Sequence, residues 1–145
     1  IAWYENDGAQ SFSGWDITKL AAGARAVFAI DVDRDGDADL LAASENDDTV
    51  AWYENDGSQS FSERVITTLA DGAQSVFAID VDGDGDVDVL AASDDDDTVA
   101  WFEGEASTDD TTVNFSTRDI TNSAVNAMRV YAIDVDGDGA VRVQI

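Results

Sequence analysis

The chain has 145 residues, with 32 acidic against 7 basic side chains and a formal net charge of −25. Nucleic acids and anionic membrane surfaces would repel such a protein, so we expect neither as a partner, whereas cations and cationic partners are favoured. The absence of cysteine and histidine excludes disulfides, thiolate and imidazole metal sites, and Ser-His-Asp or Cys-His catalysis. No apolar run approaches the roughly 18 residues of a membrane span, so we expect no membrane insertion.

The chain repeats itself with a period of 49 residues. Residues 1–8 return as residues 50–57 and, more loosely, as the segment from Val99 to Glu103. When residues 1–49 are aligned with residues 50–98, 35 of the 49 positions are identical. The third copy carries extra residues around Ala106 to Thr112, where we expect a longer surface loop. Such repetition indicates an array of equivalent structural units.

Each repeat has the alternation of β-strands and no sustained helical period. From Ser75 to Asp80 one face carries Val and Ala and the other Phe and Ile, and Val87 to Ala92 continues as a second strand. Thr98 to Glu103 forms a third strand. The turn at Asn55-Asp56-Gly57 predicts a hairpin that leads to a fourth strand, Ser60 to Thr67. Four short antiparallel strands in a repeat of about 40 to 50 residues predict an all-β fold, in which each repeat is one blade of a β-propeller.

The repeat divides the chain into four segments in chain order. Residues 1–24 are predicted to be the C-terminal half of one blade, 25–73 and 74–127 are whole blades, and 128–145 are the N-terminal half of another. The chain therefore holds about three blades' worth of strands, with one blade split between its termini, whereas a propeller ring usually has roughly four to eight blades. We expect either that these repeats are part of a larger propeller or that copies of the chain complete each other's half-blades, because bare edge strands promote association.

Carboxylates recur in each repeat at the turn between the first two predicted strands. In the loop Asp80 to Asp88 they hold positions 1, 3, 5, 7 and 9, with Gly85 at position 6, and the loop Asp31 to Asp39 repeats the pattern. Acids this close repel one another unless a cation joins them, so the spacing predicts a hard divalent ion, calcium before magnesium. Position 7 is expected to ligate through its backbone carbonyl and the other positions through their side chains. The predicted ligands of these two loops are Asp31, Asp33, Asp35, Asp37, Asp39, Asp80, Asp82, Asp84, Asp86 and Asp88.

An EF-hand has a similar spacing of acids but needs a glutamate at position 12 and helices on both sides. Position 12 is Ala42 or Ala91, and the flanks are predicted strands. The ion is therefore expected to fasten the connection between two strands of a blade. Arg34, which replaces Gly83 at the non-ligating position 4, is expected to point outward.

The third acidic loop departs from the other two. Asp134, Asp136 and Asp138 keep the first three ligand positions and Gly139 keeps the turn, but Arg142 stands at position 9. A guanidinium there removes a ligand and adds a cation that can bridge the remaining acids. We expect a weak or empty site, with Arg142 partly substituting for the ion.

The two intact acidic loops, each preceded by Val-Phe-Ala-Ile and followed by an apolar strand and Ala-Trp-Tyr/Phe-Glu, resemble FG-GAP/VCBS-type repeats. The resemblance covers essentially the whole chain. It implies a propeller of calcium-binding blades related to the propeller of integrin α subunits. Because the chain contains no proline, and therefore no Gly-Ala-Pro element, the VCBS-like branch is the closer match.

The function expected from the sequence is that of a calcium-stabilised, non-catalytic propeller module, secreted or on the cell surface, for protein or carbohydrate binding, adhesion or assembly. One alternative is an accessory or catalytic propeller of a carbohydrate-active enzyme, and another is a self-assembling structural unit. Trp3, Trp52 and Trp101 recur once per blade and are expected to pack between neighbouring blades. Trp15 is not repeated, which makes it the better candidate for an exposed contact.

Overall fold

The computed structural model describes residues 1–106, 112–135 and 138–145. Most of the predicted insertion around Ala106 to Thr112, and the predicted ligand Asp136, lie outside the described residues. The described part contains twelve strands and one short 3-10 helix, Glu45–Asp47. The strands are β1 (Ala2–Asn6), β2 (Phe12–Asp16), β3 (Ala24–Ile30), β4 (Asp39–Ser44), β5 (Thr49–Asn55), β6 (Phe61–Thr67), β7 (Ala73–Ile79), β8 (Asp88–Ser93), β9 (Thr98–Ala106), β10 (Val113–Thr121), β11 (Tyr131–Ile133) and β12 (Arg142–Gln144).

The strands form antiparallel sheets in which neighbours in sequence are neighbours in space. β3 to β6 make one four-stranded sheet and β7 to β10 make another, while β1 pairs with β2 and β11 pairs with β12 in two-stranded sheets. The predicted all-β fold with four-stranded antiparallel blades is confirmed, and the sheets fit the blades of a propeller.

Each four-stranded sheet is apolar on both faces because it packs between two neighbours. In β4, Leu41 and Ala43 belong to the core between the two four-stranded sheets, whereas Leu40 and Ala42 face the sheet of β1 and β2. This is the alternation of a strand, whose successive side chains point to opposite faces. A third core joins the other face of the second blade to the sheet of β11 and β12, so the sheets lie side by side in chain order.

The first strands of successive units lie next to one another. β7 contacts β3 on one side and β11 on the other, and the rings of Phe28 and Phe77 approach to 4.9 Å between centroids. The three acidic loops each follow one of these strands and connect it to the second strand of the same sheet. The loops are therefore held at equivalent positions of successive sheets.

Two of the three recurring tryptophans pack between sheets, as predicted. Trp52 is buried in the core between the two four-stranded sheets, and Trp101 packs against the core beyond the second blade. Trp15 is exposed, and its ring stacks on that of Trp3 with centroids 4.7 Å apart.

No helix in the described ranges is both long and apolar enough to cross a membrane.

Candidate metal centre

The acidic loops turn at the glycine in position 6, as the sequence predicts. Gly36, Gly85 and Gly139 have φ angles of 98°, 100° and 86°. A side chain is disfavoured in this left-handed region, which is why glycine stands there in all three loops. The turn folds the loop back so that its early and late carboxylates approach one another.

Backbone N–H groups fix the carboxylates at the start of each loop. The position 6 amide donates to the first carboxylate, at 3.0 Å from Gly36 to Asp31 Oδ2 and at 3.0 Å from Gly85 to Asp80 Oδ2. In the second loop Gly83 also donates to Asp80 Oδ1, at 2.7 Å. These hydrogen bonds fix the orientation of the first carboxylate.

The last carboxylate of each intact loop, Asp39 or Asp88, begins the second strand and is buried. Asp88 Oδ2 accepts a hydrogen bond of 2.8 Å from the Val81 amide, and Asp88 Oδ1 accepts one of 2.8 Å from the Gly104 amide. Asp39 makes the equivalent bonds with the amides of Val32 and Asn55. This carboxylate therefore joins the loop to the third strand of the blade.

Asn55 and Gly104 were missed from the sequence because they lie outside the acidic motif. The signal that could have found them is the strand register. Both residues directly follow the repeated segment Trp-Tyr/Phe-Glu, and both lie on the strand that pairs with the strand carrying the last carboxylate. A backbone amide has no sequence signature of its own.

Three carboxylates of each intact loop converge. In each group the three candidate ligand oxygens lie within 4.8 Å of one another, and the groups are Asp31 with Asp33 and Asp39, and Asp80 with Asp82 and Asp88. Both groups could hold a metal ion. The other predicted ligands lie outside these groups: Asp35 and Asp84 each accept a 2.8 Å hydrogen bond from the position 7 amide.

The first loop carries an oxygen that fits a cation. Asp31 Oδ1 is buried and has no hydrogen-bond partner among the described residues. Burial raises the pKa of Asp33, and the neighbouring charges of Asp35, Glu54 and Asp31 raise it further. Burial likewise raises the pKa of Asp39 and of Asp88, against the lowering effect of their hydrogen bonds. A cation among these groups would give Asp31 Oδ1 a partner and would reduce the repulsion between the carboxylates.

Arg34 does not simply extend into solvent. Its Nη2 lies 3.1 Å from Asp86 Oδ1, so the guanidinium of the first loop pairs with position 7 of the second loop in the neighbouring sheet. Asp86 also accepts a 3.0 Å hydrogen bond from the Ala106 amide. Arg34 has a φ of 64°, matching the 81° of Gly83 at the same loop position. The two loops are thus linked by an ion pair that the spacing within one loop could not reveal.

In the third loop, Arg142 approaches the acids as predicted. Its Nη2 is 3.1 Å from Asp138 Oδ2, and its Nη1 is 3.9 Å from Asp134 Oδ1. The Gly139 amide still donates to Asp134 Oδ2 at 3.0 Å, so the turn is kept. A guanidinium occupies the side of the loop where Asp39 and Asp88 stand in the other two.

A model of the FG-GAP-like repeat matches residues 1–42, 31–91 and 80–141. The chain belongs to the FG-GAP-like repeat family. The resemblance drawn from the acidic loops and their flanking strands is therefore confirmed. FG-GAP repeats indicate a propeller-type module and are typical of extracellular proteins. A search of curated proteins found no match to this chain.

Proposed function

We propose that the chain is a calcium-stabilised extracellular propeller module that binds a protein or a glycan, or serves adhesion or assembly, without catalysis. The observation that carries the calcium proposal is the buried, unpartnered Asp31 Oδ1 within a group of three converging carboxylates. A hard cation is the partner that such oxygens accept most readily. The equivalent group around Asp88 supports a second site of the same kind.

Calcium fits these loops better than magnesium. Calcium accepts about six to eight oxygen ligands in flexible geometry, whereas magnesium demands a near-ideal octahedron and keeps several waters. Each group supplies three side chains, and the position 7 carbonyl and water are expected to complete the shell. Dissociation constants of roughly 0.1–1 mM are typical of extracellular modules. Sites of this strength would fill outside cells, which supports a secreted or cell-surface location.

Calcium is expected to raise the melting temperature by about 5–10 °C for each occupied site at a hundredfold excess over its dissociation constant, because binding of one ion to the folded state alone adds about 2.7 kcal/mol. Scanning calorimetry in calcium, in magnesium and in chelator measures the shift. Asp33→Asn and Asp82→Asn, at equivalent positions of the two loops, should each remove one bound terbium ion. A melting temperature that does not respond to chelator would refute the proposal, and an equal shift in magnesium would refute the choice of calcium.

Arg34→Gly should tighten cation binding by about twofold to fivefold, because it removes a positive charge that pairs with the second loop. Glycine already stands at this position in the second loop, and it accepts the positive φ without strain. Titration with terbium at low salt measures the change. Arg25→Gln is the matched control, because this substitution also removes one positive charge, but from an arginine that pairs with Glu45 outside the acidic loops. Equal effects of the two variants would contradict a local role for Arg34.

The carboxylates support a structural role rather than catalysis. Both oxygens of the last acid in each intact loop accept a hydrogen bond from a backbone amide, and the amide of the turn glycine donates to the first acid. A glycosidase instead needs a pair of carboxylates flanking the substrate bond. An assay for polysaccharide cleavage separates the proposed binding module from the carbohydrate-active alternative.

Trp15 is the surface residue that best supports a ligand contact. In the two whole blades an arginine holds this repeat position, and Arg64 and Arg118 each lie 5.4 Å over the ring of the blade's tryptophan. Trp15 replaces that cation with an exposed aromatic ring stacked on Trp3. Exposed aromatic faces suit both protein and sugar partners.

A further inference from the structure

The two ends of the chain expose side chains that are buried at the same repeat positions inside it. Tyr4 is 66% exposed, whereas Tyr53, one repeat later, is 2% exposed. Val27 is 54% exposed, whereas Val76 is 5% exposed. The difference is not in residue type but in what lies against the sheet. Each end therefore lacks a neighbour that the whole blades have.

The strands that are missing at one end are present at the other. β1 and β2 correspond to the third and fourth strands of a blade, and β11 and β12 correspond to its first and second strands. In the whole blades the second strand pairs with the third, as β4 does with β5 and β8 with β9. Within the described residues, β12 pairs only with β11 and β1 only with β2.

We propose that a second copy of this chain completes each split blade, with β12 of one copy pairing antiparallel with β1 of the other. The inference rests on the propeller-type module proposed above, but it does not depend on calcium binding. The register follows from the pairs Val89 with Phe102 and Leu90 with Trp101 in the second blade. By repeat position, Val143 lies opposite Tyr4 of the second copy, and Gln144 lies opposite Trp3.

The same pairing covers the exposed apolar residues of both ends. Phe77 and Ile79 face the core beyond the second blade, and their repeat equivalents, Tyr131 and Ile133, are exposed. In the completed blade they would face Val27 of the second copy, as the first strand of one blade faces that of the next.

At the outer part of the sheet, Phe12 and Tyr4 of the second copy would cover Ile120. This residue is exposed, although its equivalent Ile66 packs against the next blade.

The blade count favours a closed pair. Each chain carries two whole blades and two half-blades, so two copies give six blades, within the usual range of roughly four to eight. One copy alone would give three blades and three copies would give nine blades, and both counts lie outside that range. A two-fold axis makes both junctions identical, which is the commonest symmetry of soluble oligomers. The charge of −25 on each chain opposes association, so the affinity between the two copies should rise with salt concentration, because salt screens this repulsion.

Light scattering of the 145-residue chain, in chelator and in calcium at about 0.15 M salt, is expected to give twice the chain mass of 15.4 kDa. Because the chain has no cysteine, introduced thiols report the register cleanly. Tyr4→Cys with Val143→Cys should form disulfides between copies, since opposed residues of an antiparallel ladder have Cα atoms about 4.5–5.5 Å apart. Mixing the two single variants should give one covalent heterodimer.

Tyr4→Cys with Gln144→Cys is the matched control, because the register places these side chains on opposite faces of the sheet. It should cross-link far less than the in-register pair. A mass of one chain without cross-links, or a disulfide formed within one chain, would overturn the proposal and leave these edges to further repeats of a longer protein. Calcium-dependent melting with a single-chain mass would overturn the pairing alone, while a twofold mass without any calcium response would overturn the ion alone.

Discussion

Asp88→Ala is expected to lower the free energy of unfolding by about 3–5 kcal/mol, even in chelator. The Asp88 side chain is fully buried and accepts hydrogen bonds from the Val81 and Gly104 amides, one on each oxygen. Alanine would leave the buried Gly104 amide and the partly buried Val81 amide without this partner and open a small void beside them. The loop would also lose its attachment to β9. Urea unfolding followed by tryptophan fluorescence measures the change.

Two comparisons separate this effect from general charge removal. Asp39→Ala, at the same position of the first blade, should destabilise comparably because Asp39 makes the equivalent bonds with Val32 and Asn55. Asp95→Ala should not lower the unfolding midpoint, since Asp95 is exposed and the neighbouring charge of Asp94 raises its pKa. If Asp88→Ala left the midpoint in chelator unchanged, Asp88 would act only through the ion.

The strands and the turns of the loops could be predicted because they follow from short-range pattern. The alternation around Val76 and Phe77 fixes which side chains face each neighbour, and Gly85 marks a backbone conformation that few other residues adopt. Comparison of the copies also identified Arg142 as the residue that disturbs the third loop. Each of these inferences needs only the local sequence and its repeats.

The contacts that could not be predicted all cross from one strand or sheet to another. The hydrogen bonds that fix the last carboxylate of each intact loop, Asp39 or Asp88, come in part from the third strand of the blade, through the amides of Asn55 and Gly104. The pairing of Arg34 with Asp86 depends on how two sheets lie side by side. The amide of Gly104 depends on the strand register. Such contacts depend on how strands and sheets pack, and no fixed spacing of residues in the sequence indicates them.

Gly104→Ala is the second substitution with a large expected cost, about 3–5 kcal/mol. Gly104 lies on β9, and a Cβ there would come within 2.2 Å of the carbonyl oxygen of Val87. That atom belongs to the backbone, so a rotamer change cannot relieve the contact and the strand must move. The movement would also lengthen the hydrogen bond from the Gly104 amide to Asp88. The same urea unfolding experiment measures the loss, and cation titration shows whether the second loop is disturbed with it.

The first blade provides a control at the same repeat position. Asn55 already carries a Cβ there, and its side-chain nitrogen donates a 3.1 Å hydrogen bond to the carbonyl of Ala38. Asn55→Ala loses only this exposed bond and should cost about 0.5–1.5 kcal/mol, because its backbone amide still reaches Asp39. If both substitutions cost the same, the close approach of Gly104 to Val87 would not constrain the second blade. A larger loss at Gly104 would show that the near-identical repeats differ in the space they leave for a side chain at this position. The reason would be that each blade sets its own distance between its third strand and its acidic loop.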